Sequence, residues 1–410
     1  MSRTTTLLGA ATLGLVLGAG CNDEQLFRPT SVIPVNALFT RYVAMGNSIT
    51  AGFQSAGIND STQRQAYPVL LAGQMQTPFF QPLMNKPGCP PPLVNVFTGA
   101  VVQPPVPPLN CALREPQPLP PPFLSDVAVP GAKVIDALSN FAPTGDANAL
   151  TTLFLGGMTQ IQAMERANPT FVTIWIGNND VLGAATDTAN AGNPALVTRV
   201  DSFTTRYTAM LNSVDSTPSK GHGVLIGVAD VGLIPYLSYG QVYLFVKSTG
   251  ALPANFAVSN DCAPSALGGV GDTVLVPFRY GFGLIAAAQA NPSTTYTLDC
   301  LNDHNIEPAE LANLHAAVKG YNAAIAALAA ARGYAYADPN PALLALRADT
   351  AQVAPFPHAN PADPKFTTAP FGTAFSKDGV HPSAASHKLI ANLLIQAIDA
   401  QYGTTVPAVP

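Results

Sequence analysis

Tyr42-Val43-Ala44-Met45-Gly46-Asn47-Ser48-Ile49-Thr50-Ala51-Gly52 is the stretch that decides the fold. An apolar run enters Gly-Asn-Ser, the pattern of a strand buried on both faces that ends in a tight loop. In open α/β sheets, ligands bind beyond the carboxyl ends of the strands, so a serine here is placed for chemistry. A Gly-Asn-Ser turn without any chemical role looks the same, because Gly and Asn tolerate positive φ and Ser hydrogen-bonds its own backbone. The far end of the chain separates the two readings. Ser376-Lys377-Asp378-Gly379-Val380-His381-Pro382 supplies an acid and an imidazole three residues apart, just before a helix.

The same strand-then-loop pattern recurs between these ends. Phe171-Val172-Thr173-Ile174-Trp175-Ile176 is β-branched and aromatic throughout and empties into Gly177-Asn178-Asn179-Asp180. Asn179 there offers a side-chain amide, a good donor to an oxyanion, or simply an Asn-rich turn. Asp126-Val127-Ala128-Val129-Pro130-Gly131-Ala132 reads as a short strand closed by a glycine. Gly131 could bring its N–H close to a ligand, although a glycine after a strand is also an ordinary turn. Residues 223–231, with Asp230 near the end, and 334–338 complete the predicted strands.

Helical spacing appears from Tyr67 (Val69, Leu70, Leu71, Met75), in Val200, Phe203, Tyr207, Leu211 and Val214, and over the alanine-rich stretch 310–332 closed by Gly333. The last helix, 383–402, is expected to bury Leu389, Ile390, Leu393, Leu394 and Ile398 on one face. Strands alternating with helices predict right-handed crossovers, and so an α/β fold with a parallel sheet between two helical layers. One large domain over residues 41–402 is expected, with insertions at about 78–122, which is proline-rich, and about 236–306, a cap or excursion.

Apolar residues make up 48% and charged residues 10% of the 410, so the chain has the material for a large core and is not disordered. A net charge of −5 with scattered Lys and Arg gives no basic patch, which excludes nucleic acid as a natural partner. Residues 1–20 carry Arg3 and then an apolar core from Leu7 to Leu17, the form of an export signal rather than a membrane span. Leu17-Gly18-Ala19-Gly20-Cys21 resembles a bacterial lipobox, with Leu17 one place early and Gly18 an unusual member. This implies lipidation at Cys21 and a tether over residues 21–40; an ordinary cleaved signal is the alternative. The expected location is the cell envelope, membrane-anchored and facing the periplasm or the cell surface, with the outer membrane preferred to the inner.

Cys89, Cys111, Cys262 and Cys300 remain, an even number consistent with export and disulfides. Four cysteines allow three connectivities, and local pairing, Cys89 with Cys111 and Cys262 with Cys300, is the simplest because each pair closes one insertion. No Cys-x-x-Cys or histidine spacing points to zinc, and no metal or cofactor is expected. His222, His304, His315 and His358 are expected to be structural, and His387 to lie on the surface of the last helix.

Taken in order, Ser48, Gly131, Asn179 and His381 resemble the four landmarks of the SGNH hydrolases, the GDSL-type esterases and lipases. Gly177-Asn178-Asn179-Asp180 and Asp378-Gly379-Val380-His381 match two of that family's blocks fully. Gly46-Asn47-Ser48-Ile49 matches a third with Asn47 for the usual Asp and Ile49 for the usual Leu, and the block around Gly131 is looser. The resemblance covers roughly residues 40–400 without the insertions. It implies a three-layer, flavodoxin-like fold and a serine ester hydrolase acting on a small-molecule or lipid ester. In that reading Ser48 is the nucleophile, His381 the base and Asp378 its orienting acid, with an oxyanion hole from the Ser48 and Gly131 N–H groups and the Asn179 amide. The chain is not of the Gly-x-Ser-x-Gly elbow type, since Thr50 stands at the final glycine. Two other readings fit the residues: a surface binding lipoprotein that keeps the fold without catalysis, and an acyltransferase.

Overall fold

The computed structural model describes residues 33–102, 111–113, 122–140 and 149–410. The export signal, Cys21 and the first part of the expected tether lie outside the described residues.

Four parallel strands form the central sheet: β1 (Tyr42–Gly46), β2 (Phe171–Trp175), β3 (Gly223–Ile226) and β4 (Ala335–Ala337), in that spatial order. Tyr42 sits opposite Phe171 and Gly46 opposite Trp175, so β1 and β2 end level with one another. Side chains alternate between the faces. Val43, Met45, Val172, Ile174 and Leu225 pack with the helices Gln160–Ala167, Val200–Val214 and Pro308–Arg332. Tyr42, Ala44, Phe171, Trp175, Val224 and Ile226 pack with the helices Tyr67–Met75 and Ala384–Tyr402. Both faces are covered, which is why the strands read as continuous apolar runs.

Where a strand was expected at residues 126–132, the chain makes only an isolated parallel bridge from Asp126 to Ala44. Val127 N–H still donates to Ala44 O (3.0 Å) and Val129 N–H to Gly46 O (3.2 Å), so this segment runs along the outer edge of β1. Proline 130 and Gly131 then turn it away. The resulting order, edge segment, β1, β2, β3, β4, is the flavodoxin-like arrangement, with a switch point at β1.

Several boundaries differ from the sequence reading for local reasons. β3 stops at Ile226 because the Asn322 amide takes the next backbone groups, accepting from Val228 N–H (2.6 Å) and donating to Val228 O (2.9 Å). Of residues 33–40, expected in the tether, the turn Ala37–Thr40 packs on the body through Phe39, which is fully buried with its ring centroid 5.0 Å from that of Phe171, while Ile33 and Val35 are exposed. Val200 is exposed at the start of its helix, while Phe203, Tyr207, Leu211 and Val214 are buried as the spacing indicates. In the last helix the buried stripe runs through His387, Ala391, Leu394, Ile395 and Ile398, and Leu389 is 51% exposed.

The cysteines pair locally, Cys89 with Cys111 and Cys262 with Cys300. Between residues 236 and 306 the chain builds two small two-stranded sheets and the helices Gly240–Ser248 and Phe278–Ala290. This segment has its own core, in which Tyr243, Phe256, Val276, Ile285 and Leu298 surround the Cys262–Cys300 disulfide.

Asp126 on the edge segment is almost fully buried; its Oδ1 accepts from Ala128 N–H (3.1 Å) and its Oδ2 has no partner among the described residues. Burial pushes this carboxyl up to about 7. The native state therefore keeps a proton that the unfolded chain has released above about pH 4, and stability falls as pH rises through that window. Thermal unfolding followed from about pH 4 to about 7 should show a falling midpoint, and Asp126→Asn should flatten that fall. Equal slopes in the two proteins would contradict the assignment.

Candidate active site

The serine loop is built by steric exclusion. A Cβ on Gly46 would lie 2.2 Å from Thr50 Oγ1 and 2.6 Å from Trp175 O, so β1 can end this close to β2 only with glycine. The Gln160 amide clamps the same residue, accepting from Gly46 N–H (3.0 Å) and donating to Gly46 O (2.8 Å). Asn47 then caps the one-turn helix Ser48–Ala51, its Oδ1 accepting from Ile49 N–H (3.2 Å). Ser48 is left at the first helical position, 8% exposed, with its hydroxyl above the end of the sheet.

His381 reaches that hydroxyl from 333 residues away, with Nε2 2.9 Å from Ser48 Oγ. Its Nδ1 stands 2.8 Å from Asp378 Oδ2. Asp378 is held almost without freedom: Oδ1 accepts from Val380 N–H (2.8 Å), His381 N–H (2.9 Å) and the Ser376 hydroxyl (3.0 Å), and Oδ2 from Ala56 N–H (2.6 Å). Burial alone would raise this carboxyl, but the facing imidazole and these N–H groups outweigh it and hold it down to about 2. An ionised carboxylate can only accept, so Nδ1 carries the proton and Nε2 is free to accept from Ser48.

A second strap fastens the loop. Ser55 and Ala56 both lie in the left-handed region (φ 55° and 54°), so successive N–H groups point at one loop, Ser55 N–H donating to Ser376 Oγ at 2.8 Å. Lys377 N–H returns a bond to Ser55 Oγ (3.1 Å), and the Phe53 ring lies 4.9 Å from the imidazole. Gly379 (φ 71°) lets the loop turn against Phe371, whose ring would be 2.9 Å from a Cβ. The serine loop and the Asp-His loop are thus one hydrogen-bonded unit.

Val129-Pro130-Gly131-Ala132 forms a turn on the other side, with Ala132 N–H donating to Val129 O (3.2 Å) and Gly131 at φ 86°. Proline followed by a positive-φ glycine is the type II combination, and the closing bond uses the Ala132 N–H rather than that of Gly131. Gly177-Asn178-Asn179-Asp180 secures this turn. Asn179 Nδ2 donates to Ala132 O (3.0 Å), and Asp180 Oδ2 accepts from Val134 N–H (2.8 Å). One amide hydrogen of Asn179 remains for another acceptor. Burial raises the Asp180 carboxyl to about 6, opposed by the bond from Val134.

Ser48, Asn179 and His381 line one crevice of about 40 Å³, walled by Ile49, Leu182 and Val231. Gly131 is not part of that wall; it sits on the adjoining turn. His222, His304, His315 and His358 are absent from it too. His315 pairs with Asp230 (3.3 Å) and His358 with Asp363 (2.9 Å).

His387 departs from the sequence reading. It is fully buried on the core side of the last helix, where Nδ1 accepts from Tyr67 N–H (3.2 Å). Burial lowers the imidazole to about 3, with His381 adding to the effect, so it is neutral. Gln160, Ser55, Ala56 and Ser376 were not singled out by sequence, because each acts on a residue distant in the chain or through its backbone.

A family model described as GDSL-like lipase/acylhydrolase matches residues 42–394. Among solved structures, the chain is similar to an extracellular lipase from Streptomyces rimosus, with 15% identity, a TM-score of 0.38 and coverage of 87% of this chain and 99% of that one. It is also similar to a catalytic mutant of an acetylxylan esterase from Geobacillus stearothermophilus, with 11% identity, a TM-score of 0.34 and coverage of 87% and 93%. Among curated proteins none matches. The match from the first sheet strand to the last helix places the chain in the GDSL-like lipase/acylhydrolase family, and it is a hydrolase of ester bonds.

Proposed function

We propose that the protein is a serine esterase that works through an acyl-enzyme on Ser48, anchored to the cell envelope by lipid on Cys21. The observation that carries the catalytic part is the continuous relay from Ser48 Oγ to His381 Nε2 (2.9 Å) and from His381 Nδ1 to Asp378 Oδ2 (2.8 Å).

Ser48 Oγ attacks the ester carbonyl carbon while His381 Nε2 takes the hydroxyl proton. Asp378 stabilises the imidazolium that forms. The carbonyl oxygen becomes an oxyanion, met by the Ser48 N–H and by the free amide hydrogen of Asn179, with the Gly131 N–H as third donor. The carbon–oxygen bond to the alcohol then breaks, and His381 gives its proton to the departing alkoxide. Water repeats the sequence on the acyl–Ser48 ester: His381 removes its proton, the carboxylic acid leaves, and the serine hydroxyl is restored. A scaffold without catalysis has no use for an acid bound this tightly behind the imidazole. That argues for the enzyme over the binding protein.

Hydrolysis of aryl acetate and butyrate by the purified protein tests the reading. Ser48→Ala should remove at least about four orders of magnitude of kcat, and Asp378→Asn about 10⁴ through the wrong imidazole tautomer. An unaltered rate in Ser48→Ala would refute it. Asn179→Ala should lower kcat by about 10²–10³ with little change in KM, because its amide bonds the oxyanion more strongly than the ground-state carbonyl. A change in KM alone would remove Asn179 from the oxyanion hole.

The anchoring rests on the lipobox-like run before Cys21, a region outside the described residues. Expressed in a bacterial host with labelled palmitate, the protein should carry label and sediment with membranes, and Cys21→Ala should do neither. Label retained in Cys21→Ala would refute the lipid attachment.

A further inference from the structure

We propose that an apolar groove beside the catalytic crevice binds the acyl chain of the substrate, so that the preferred esters carry medium to long acyl groups. This rests on the reading of Ser48 as the nucleophile.

The groove encloses about 600 Å³ and runs between the helices Asn340–Ala348 and Ala384–Tyr402. Ile49, Ile234, Leu343, Leu346, Leu389 and Leu393 supply much of its wall. Ile49, Ala229, Ile234 and Val380 line both this groove and the crevice of Ser48, Asn179 and His381. In this proposal an acyl group on Ser48 leaves the carbonyl along these four shared apolar residues. Ile49, the residue next to the nucleophile, brings this shared wall up to Ser48.

Two features separate this groove from incidental roughness. The helix Asn340–Ala348 buries none of its residues fully, and Leu343 and Leu346, which reach the main core, keep part of their surface toward the groove. On the facing helix, the apolar stripe is wider than the core requires. Leu389, 51% exposed, and the half-buried Leu393 are the surplus, and both face the groove beside Ile390, which also packs on the core. Apolar side chains held at a concave surface that continues into a reaction centre mark a ligand site.

Size fixes the class of ligand. At about 600 Å³ the groove is many times the size of a two-carbon group and suits a medium to long chain. An acetyl group would leave it empty. Each methylene buried is worth up to about fourfold in binding, from about 0.8 kcal/mol per CH₂ at about 1.4 kcal/mol per tenfold.

The test measures kcat/KM of the full protein on p-nitrophenyl esters from acetate to palmitate, each below its aggregation concentration, with Ser48→Ala as control. Ser48-dependent kcat/KM should rise at least about tenfold from acetate to decanoate. Leu346→Trp and Leu393→Trp, at half-buried positions, should narrow the ratio of decanoate to acetate by at least about tenfold. Inactivation of the unmodified protein by alkyl fluorophosphonates of increasing length should accelerate in parallel, a readout that needs no variant. Ser48-dependent acetate cleavage with a flat or falling length profile would overturn the groove and leave the esterase reading standing. No Ser48-dependent cleavage at any length would overturn both. Tryptophan variants that change the oligomeric mass and leave the length profile intact would assign the groove to a second copy of the chain, and would also overturn the proposal.

Discussion

The Asp378 carboxylate is the point on which the rest of the site depends. It is buried, and it accepts hydrogen bonds from Ser376 Oγ, Ala56 N–H, Val380 N–H, His381 N–H and the His381 ring. A buried charge is stable only when satisfied to this degree. The bonds that satisfy it also hold the geometry. One comes from Ala56, just beyond the serine loop, and three from Val380 and His381 in the turn that carries the imidazole. The Ser55–Ser376 and Lys377–Ser55 bonds tie the same two loops beside it.

Comparison with two other buried carboxyls shows what those bonds do. Asp126 and Asp180 are equally enclosed, yet burial raises them to about 7 and about 6, while Asp378 stays near 2. Among the described residues Asp126 Oδ2 and Asp180 Oδ1 accept no hydrogen bond, and no imidazole faces either carboxyl. Their work is to fasten backbone: Asp126 at the edge of β1, and Asp180 at the turn that follows Gly131. These aspartates thus act in two ways, one ionised beside the imidazole and two that fasten backbone at the edge of β1 and beyond the Gly131 turn.

Much of this was legible in the sequence. The runs 42–46 and 171–175 are apolar throughout because both sheet faces are covered, and they could be read as strands from that alone. Ser48, Asn179, Asp378 and His381 each follow such a run or a turn motif, so their order pointed to a common site. The supporting shell was not legible. Gln160 reaches Gly46 across 114 residues, and Ser55 and Ala56 contribute N–H groups that any residue type possesses. His387 misled because a polar residue in a helix reads as exposed, whereas here it fills a core position against Tyr67 N–H. Leu389 misled in the opposite sense. Periodicity records which residues are apolar and not what covers them, and in this helix part of the stripe faces an open groove.

The central claim is that His381 makes Ser48 the reactive hydroxyl of this protein. Peptide mapping after treatment with a fluorophosphonate tests it most directly. The account predicts a single phosphonyl adduct on the peptide containing Ser48, at a rate that collapses in His381→Ala while the fold persists. An adduct on another residue, or undiminished labelling of Ser48 without His381, would contradict it.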